Sequence, residues 1–130
     1  GGALTGKYLD SNDDSKRLDE DSARLNSRNR KITEEVVAVA KELGCSAAQV
    51  AIRWVIQKNQ NVIPVIGARK ESQLVDSLGC LSINLSDKQM QKLNKVSRID
   101  LGFPHDFLKQ EFVKEVIYGG TIDKIINHRK

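Results

Sequence analysis

The chain is short of aromatic side chains, of cysteine motifs and of long apolar runs, and each shortage excludes something. Aromatics make up 5% of its 130 residues, so any core is aliphatic. Cys45 and Cys80 form no CxxC pair and sit in apolar helical contexts, so no metal or redox motif is legible. Two buried free thiols fit a reducing cytosol, and the expected location is cytoplasmic. No apolar run reaches the ~18 residues that a bilayer span needs, and no charged-then-apolar leader opens the chain. Neither charge sign dominates: 21 basic and 17 acidic residues are interspersed and leave +4. That is too mild for a dedicated nucleic-acid binder, whose cations gather on one face. Repeats and low-complexity tracts are absent too. With 39% apolar and 29% charged residues, the composition is that of an ordinary soluble protein, one domain or part of one. Its Gly-Gly start in place of Met is expected of a sequence cut from something longer.

What is present gathers between Asn61 and Leu78. A β-branched run (Val62, Ile63, Val65, Ile66) stops at Gly67, the cations Arg69 and Lys70 follow, and an amphipathic helical pattern begins. The order predicts a strand over 61–66 that hands the chain to a helix N-terminus. Free backbone N–H groups and the positive end of the helix dipole make such a junction an anion seat. Gly67 is expected to permit a sharp turn and the close approach of a phosphate. Two cations at a helix N-terminus oppose its dipole, at up to ~1 kcal/mol, unless an anion offsets them. A phosphate-bearing ligand therefore explains the pair better than solvated surface charge does.

The remaining elements are helical. Leu9 to Lys31 is dense in polar and charged residues and is expected to be a long mobile surface loop. Ile32, Val36, Val39, Ala40 and Leu43 recur at helical spacing until Gly44 stops them. Ser46-x-x-Gln49 is a capping box opening a helix over Ala47 to Lys58, apolar nearly all round. Further helices are expected at Glu71 to Leu81, after the Ser86-x-x-Gln89 cap, near Phe107 to Tyr118, and through Ile122, Ile125 and Ile126. Helices of this kind cover a sheet, yet one strand has no hydrogen-bonding partner for either edge. Either the domain is mainly helical with one extended segment, or the other strands lie outside the sequence.

Two competing readings are weaker. Ala40, Gly44 and Val50 have helix-turn-helix spacing, but the second helix opens Ser46-Ala47-Ala48-Gln49 and offers only Arg53 and Lys58 later, too apolar for a groove. His105 beside Asp106 has no serine or cysteine nucleophile placed with it. Tyr8 and Tyr118 are better explained as packing residues, and His128-Arg129-Lys130 as a solvated tail. The chain displays no catalytic centre of its own.

The string from Val50 to Leu81 resembles the end of an aldo-keto reductase, a TIM-barrel family that uses NADPH. The resemblance is carried by Ala48-Gln49-Val50-Ala51 with Trp54, then Ile63-Pro64, Gly67, Arg69, Gln73 and Asp76. Leu4 to Tyr8 is similar to the loop after the family's seventh strand, and the likeness runs to about Leu101. It implies an α/β fold, the C-terminal segment of a (β/α)8 TIM barrel, mostly helical, with one clear parallel-type strand near 61–66. Residues 1–8 would be the exit of the seventh strand, 9–31 a charged loop, 32–81 the last barrel helices and eighth strand, and 82–130 C-terminal helices and tail.

The same resemblance implies the site. Arg69 would grip the 2′-phosphate of NADPH with its planar fork, and Lys70 would add charge. Gln73 and Asp76 would hydrogen-bond adenine or ribose, Thr5 and Lys7 would meet the pyrophosphate, and the 9–31 loop would strap the cofactor. Ser77 stands where the family has Asn, so contact to adenine would be weakened or water-mediated. No residue matches the family's catalytic tetrad, and no metal site is implied. A full barrel takes about 250 residues, so the chain would be the cofactor-tail portion of a reductase that converts aldehydes or ketones to alcohols. Alone it is not expected to turn over a carbonyl substrate, and its apolar faces are expected to drive self-association. Alternatives are a helical nucleic-acid-binding module or a non-catalytic NADPH-sensing subunit; neither nucleic acid nor membrane is the expected partner.

Overall fold

A computed structural model describes residues 2–9, 18, 21–59 and 61–126 of the chain. Residues 10–17, 19 and 20 of the expected strap and the His128–Lys130 tail lie outside these residues. The chain forms two compact units, Gly1–Arg98 and Ile99–Lys130.

The first unit holds four α-helices among the described residues. Helix α1 (Ser27–Leu43) starts where the Asn26 side chain accepts the Asn29 N–H at 2.8 Å. Its first turn is polar, so apolar spacing alone does not reveal it, and it begins within the segment expected to be loop. Gly44 ends it at φ 64°, a left-handed conformation that favours glycine. There Gly44 N–H donates to Lys41 O at 3.3 Å and Cys45 N–H to Ala40 O at 3.1 Å, a Schellman closure.

Helix α2 (Ala47–Lys58) has Ser46 as its cap, helix α3 spans Glu71–Leu78, and helix α4 (Asp87–Val96) opens with a full Ser86/Gln89 capping box. Helix α1 packs against both α2 and α4. The core joins Ile32, Val36, Val39 and Ala40 of α1 to Val50 and Trp54 of α2, Leu85, and Leu93 of α4. The low aromatic content leaves Trp54 as its single large ring, with Nε1 donating to Asn94 Oδ1 at 3.0 Å. Leu93 is fully buried, so its truncation to Ala costs about 2–5 kcal/mol. Buried Thr33 ties the opening turn to α1, its hydroxyl reaching Ala3 O at 3.0 Å and Asn29 O at 2.8 Å.

The α/β expectation does not hold. Among the described residues there are helices and no strand, so neither a parallel strand near 61–66 nor any sheet of a barrel is seen. Val62 N–H bonds back to Asn59 O at 3.0 Å in a turn, and residues 62–68 run without regular structure. The physical reason is pairing. β-Branched side chains favour extension, but a strand is completed only by a second edge that takes its N–H and C=O groups. No other described segment supplies that edge, and Ile63 and Val65 stand 88% and 99% exposed.

The second unit holds helix α5 (His105–Leu108), helix α6 (Glu111–Tyr118) and a 3-10 turn at Ile122–Lys124. In α6, Val113 is buried, whereas Phe112, Val116 and Ile117 are exposed. No helix among the described residues is long and apolar enough to cross a membrane.

Candidate functional site

The residues before α3 place Arg69 and Lys70 at its N-terminus, with Lys70 in the capping position and no side-chain cap. Both are exposed, and neither side chain meets a carboxylate or any other hydrogen-bonding partner among the described residues. Gln73 folds this turn, its Oε1 accepting the Arg69 backbone N–H at 3.0 Å. The Gln73 side-chain NH2 makes no bond to the described residues. Ser77 donates its hydroxyl to Gln73 O at 2.8 Å.

Gly67 departs from expectation. It takes no positive φ, and a Cβ built on it would meet open space. The turn after 66 therefore does not require glycine's conformational freedom.

Asp76 faces the opposite direction chemically. Its Oδ2 accepts the Ser46 hydroxyl at 2.9 Å, its Oδ1 accepts Gln49 Nε2 at 3.1 Å, and its carbonyl accepts the same Nε2 at 2.8 Å. Ser46 still caps α2 by accepting the Gln49 N–H at 3.1 Å, but Gln49 does not return its side chain to Ser46. The expected capping box is thus half formed, because the amide has been recruited by α3. Gly79, just past α3, has the Gln49 amide seated where a Cβ would go. Ser46, Gln49 and Gly79 were not legible as a group, since Ser46 and Gln49 lie 30 and 27 residues from Asp76 along the chain.

A cleft of about 340 Å³ brings three of the expected site residues together. Thr5, Gly67 and Ser77 line it with Ala51, Ile52 and Pro64, so its wall is largely apolar. Arg69, Lys70, Gln73, Asp76 and Lys7 do not line it. Thr5 also faces a neighbouring cleft of about 620 Å³ bounded by Val37, Lys41 and Cys45. The Thr5 hydroxyl donates to Gly2 O at 2.8 Å. Lys7 lies across Gly2, whose added Cβ would fall 2.8 Å from Lys7 Cε, and its Nζ sits 5.2 Å from the Tyr8 ring centroid.

No obvious reactive group borders these clefts. Burial, and secondarily the Asp76 carboxylate, push the Cys45 thiol up from its ordinary pKa, which disfavours thiolate at neutral pH. His105 and Asp106 are both exposed on α5. Among the described residues no three His, Cys, Asp or Glu side chains are grouped to hold a metal. Arg53, the cation that a nucleic-acid reading needs, is engaged by Gln57 Oε1 at 3.2 Å and Asn84 Oδ1 at 2.9 Å.

The chain belongs to the Aldo/keto reductase family: residues 1–98 match it, the same residues that make up the first compact unit. It is 37% identical over 84 residues to an aryl-alcohol dehydrogenase of Pestalotiopsis microspora, covering 65% of this chain and 22% of that protein. It is 40% identical over 81 residues to aryl-alcohol dehydrogenase [NADP(+)] of Phanerodontia chrysosporium, covering 62% and 21%. Norsolorinic acid reductase B of Aspergillus parasiticus is 32% identical over 84 residues, covering 65% and 22%. The matched stretch spans about a fifth of the length of these relatives. The family is one of oxidoreductases that use NAD(P)H.

The donor set suits the phosphate-bearing end of such a cofactor in part. Two cations without an ion-pair partner among the described residues and an amide NH2 fit an anionic group at α3. Each Asp76 carboxylate oxygen takes one hydrogen bond from within the protein, from Ser46 or from Gln49, and keeps a second acceptor site.

Proposed function

We propose that the chain is the cofactor-tail-binding, C-terminal portion of an NADPH-dependent aldo-keto reductase that reduces aldehydes or ketones to alcohols. The observation that carries the reading is the Arg69–Lys70 pair, exposed at the start of α3 and, among the described residues, without an ion-pair partner, although Glu71 stands in the same first turn. Arg69 would hold the 2′-phosphate through its fork, Lys70 would add charge, and the Gln73 NH2 would donate alongside them. Thr5, Gly67 and Ser77 border the neighbouring cleft, and Lys7 adds a cation close to Thr5. When bound, the reduced nicotinamide supplies the hydride; this chain's residues grip the far end and orient it. The family match and a relative named for NADP(+) support the cofactor class. Free Cys45 and Cys80 support a reducing, cytoplasmic setting.

The chain by itself is proposed to be inactive on its carbonyl substrate and to self-associate. Exposed Ile63 and Val65 in the first unit, and exposed Phe112 and Val116 in the second, support association.

The test is a titration of the reductase carrying this chain with NADPH and NADH. Arg69→Ala is expected to cut the preference for NADPH about 10- to 100-fold, as loss of a bidentate charge-assisted contact predicts. An unchanged preference would overturn the assignment.

A further inference from the structure

Asp76 turns its acceptors into the protein. Both carboxylate oxygens and its backbone carbonyl receive hydrogen bonds from Ser46 and Gln49 at the start of α2, at 2.8 to 3.1 Å. Nearer the start of α3, Ser77 Oγ donates to Gln73 O at 2.8 Å and the Arg69 N–H donates to Gln73 Oε1 at 3.0 Å. The distance is short, since six residues of helix between Asp76 and Lys70 rise only ~9 Å. Gly79 leaves the space in which the Gln49 amide lies against the end of α3. Helix α3 otherwise has no buried residue, so this polar dock substitutes for an apolar anchor.

We infer that Asp76 is a positioning residue: with Ser46 and Gln49 it docks α3 on α2 and so sets where Arg69 and Lys70 stand, without itself touching the nucleotide. The inference rests on the reading of Arg69 as the phosphate grip, and it adds Ser46 and Gln49 as residues on which that grip depends. Selectivity for the 2′-phosphate is then controlled from the far end of α3.

The experiment titrates adenosine 2′,5′-bisphosphate and adenosine 5′-monophosphate into the full chain and its variants by calorimetry. Gln49→Ala and Asp76→Ala are each expected to weaken the bisphosphate about tenfold, a cost in line with a misplaced binding group. Both should leave the monophosphate nearly unchanged. The double variant should be no worse than either single, because one dock is lost once. Asp76→Asn should rescue, since its carbonyl still accepts from Gln49 and its NH2 can donate to Ser46. A silent Gln49→Ala together with an Asp76→Ala that weakens both probes would mean direct contact and overturn the inference.

Amide hydrogen exchange over 69–74 provides the independent readout. Both variants should exchange faster there while Trp54 fluorescence, reporting the core, stays constant; unaltered exchange overturns the inference. If the unmodified chain binds neither probe, the nucleotide reading fails, and the exchange result alone then decides whether the dock positions the Arg69 turn.

Discussion

The side-chain amide of Gln57 brackets the backbone of Leu85, donating Nε2–H to the Leu85 carbonyl at 2.6 Å and accepting the Leu85 N–H on Oε1 at 3.0 Å. A single glutamine thereby satisfies both main-chain groups of a residue that is 1% exposed. Gln57→Ala leaves that donor and acceptor unpaired in a region sheltered from water. The expected cost is about 2–4 kcal/mol, from two unsatisfied backbone groups. Gln57→Glu keeps the acceptor but faces a carboxylate toward the Leu85 carbonyl, so it should not rescue. Urea unfolding followed by Trp54 fluorescence checks both.

Gly79→Ala sets two effects against each other. Gly79 has an ordinary helical φ of −55°, so Ala alone would add up to ~1 kcal/mol through reduced freedom of the unfolded chain. The new methyl would collide with the Gln49 amide, and overpacking of this sort costs about 1–3 kcal/mol. The collision should win, and the variant should unfold more easily. Adding Gln49→Ala removes the obstacle, so Gly79→Ala is expected to cost less in that background. Equal costs in the two backgrounds would show that the contact does not matter.

The Glu42–Lys92 pair joins α1 to α4 at 2.9 Å, with Gln89 Nε2 adding a bond to the other Glu42 oxygen at 3.2 Å. The hydrogen bond from Lys92, then that from Gln89, hold the Glu42 carboxyl below its ordinary pKa. A depressed carboxyl contributes stability above its unfolded pKa and loses it as pH falls through the folded value, so the loss lies below about pH 4. The hydrogen bond to Glu42 raises Lys92, whose contribution is present below its unfolded pKa and lost as pH climbs through the raised one. Glu42→Gln should flatten the acid limb of the stability–pH curve by lowering stability at pH 7, where the carboxylate's contribution is fully present, and change little once pH has fallen through the folded value. Salt should shrink the effect, because both side chains are about half exposed.

Self-association should appear as concentration-dependent sedimentation of the isolated chain. Ile63→Asp with Val65→Asp places two charges on the most exposed part of the 62–66 run and should shift the distribution toward the monomer. Phe112→Asp tests the second unit in the same way. If none of these variants alters the distribution, these side chains are not the ones that associate.

Much of the helical frame was legible because its signals are local. The Ser46 cap and the Lys58 end of α2 lie where side-chain chemistry and apolar spacing placed them, as does the Ser86/Gln89 box. The start of α1 was less visible, since Asn26 caps a turn with no apolar stripe. The region near Phe107 to Tyr118, expected to be one helix, is two, α5 and α6, separated at Lys109–Gln110. The order Gly67–Arg69–Lys70 was evident at once, but Gly67 takes no positive φ in the turn expected to need one. What Asp76 and Gln49 do was hidden: a carboxylate and an amide 27 residues apart have no period that could reveal their meeting.

By itself the sequence determined most of the helix starts and stops and which positions carry cation pairs, because caps, glycine stops and 3.6-residue spacing act over one turn of chain. Only the tertiary structure decided which acceptors turn inward, which cations have no ion-pair partner among the described residues, and that the 61–66 run forms no strand. Those outcomes depend on what arrives from distant positions to take each N–H, carbonyl or charge, and nothing within a few residues of them encodes the partner.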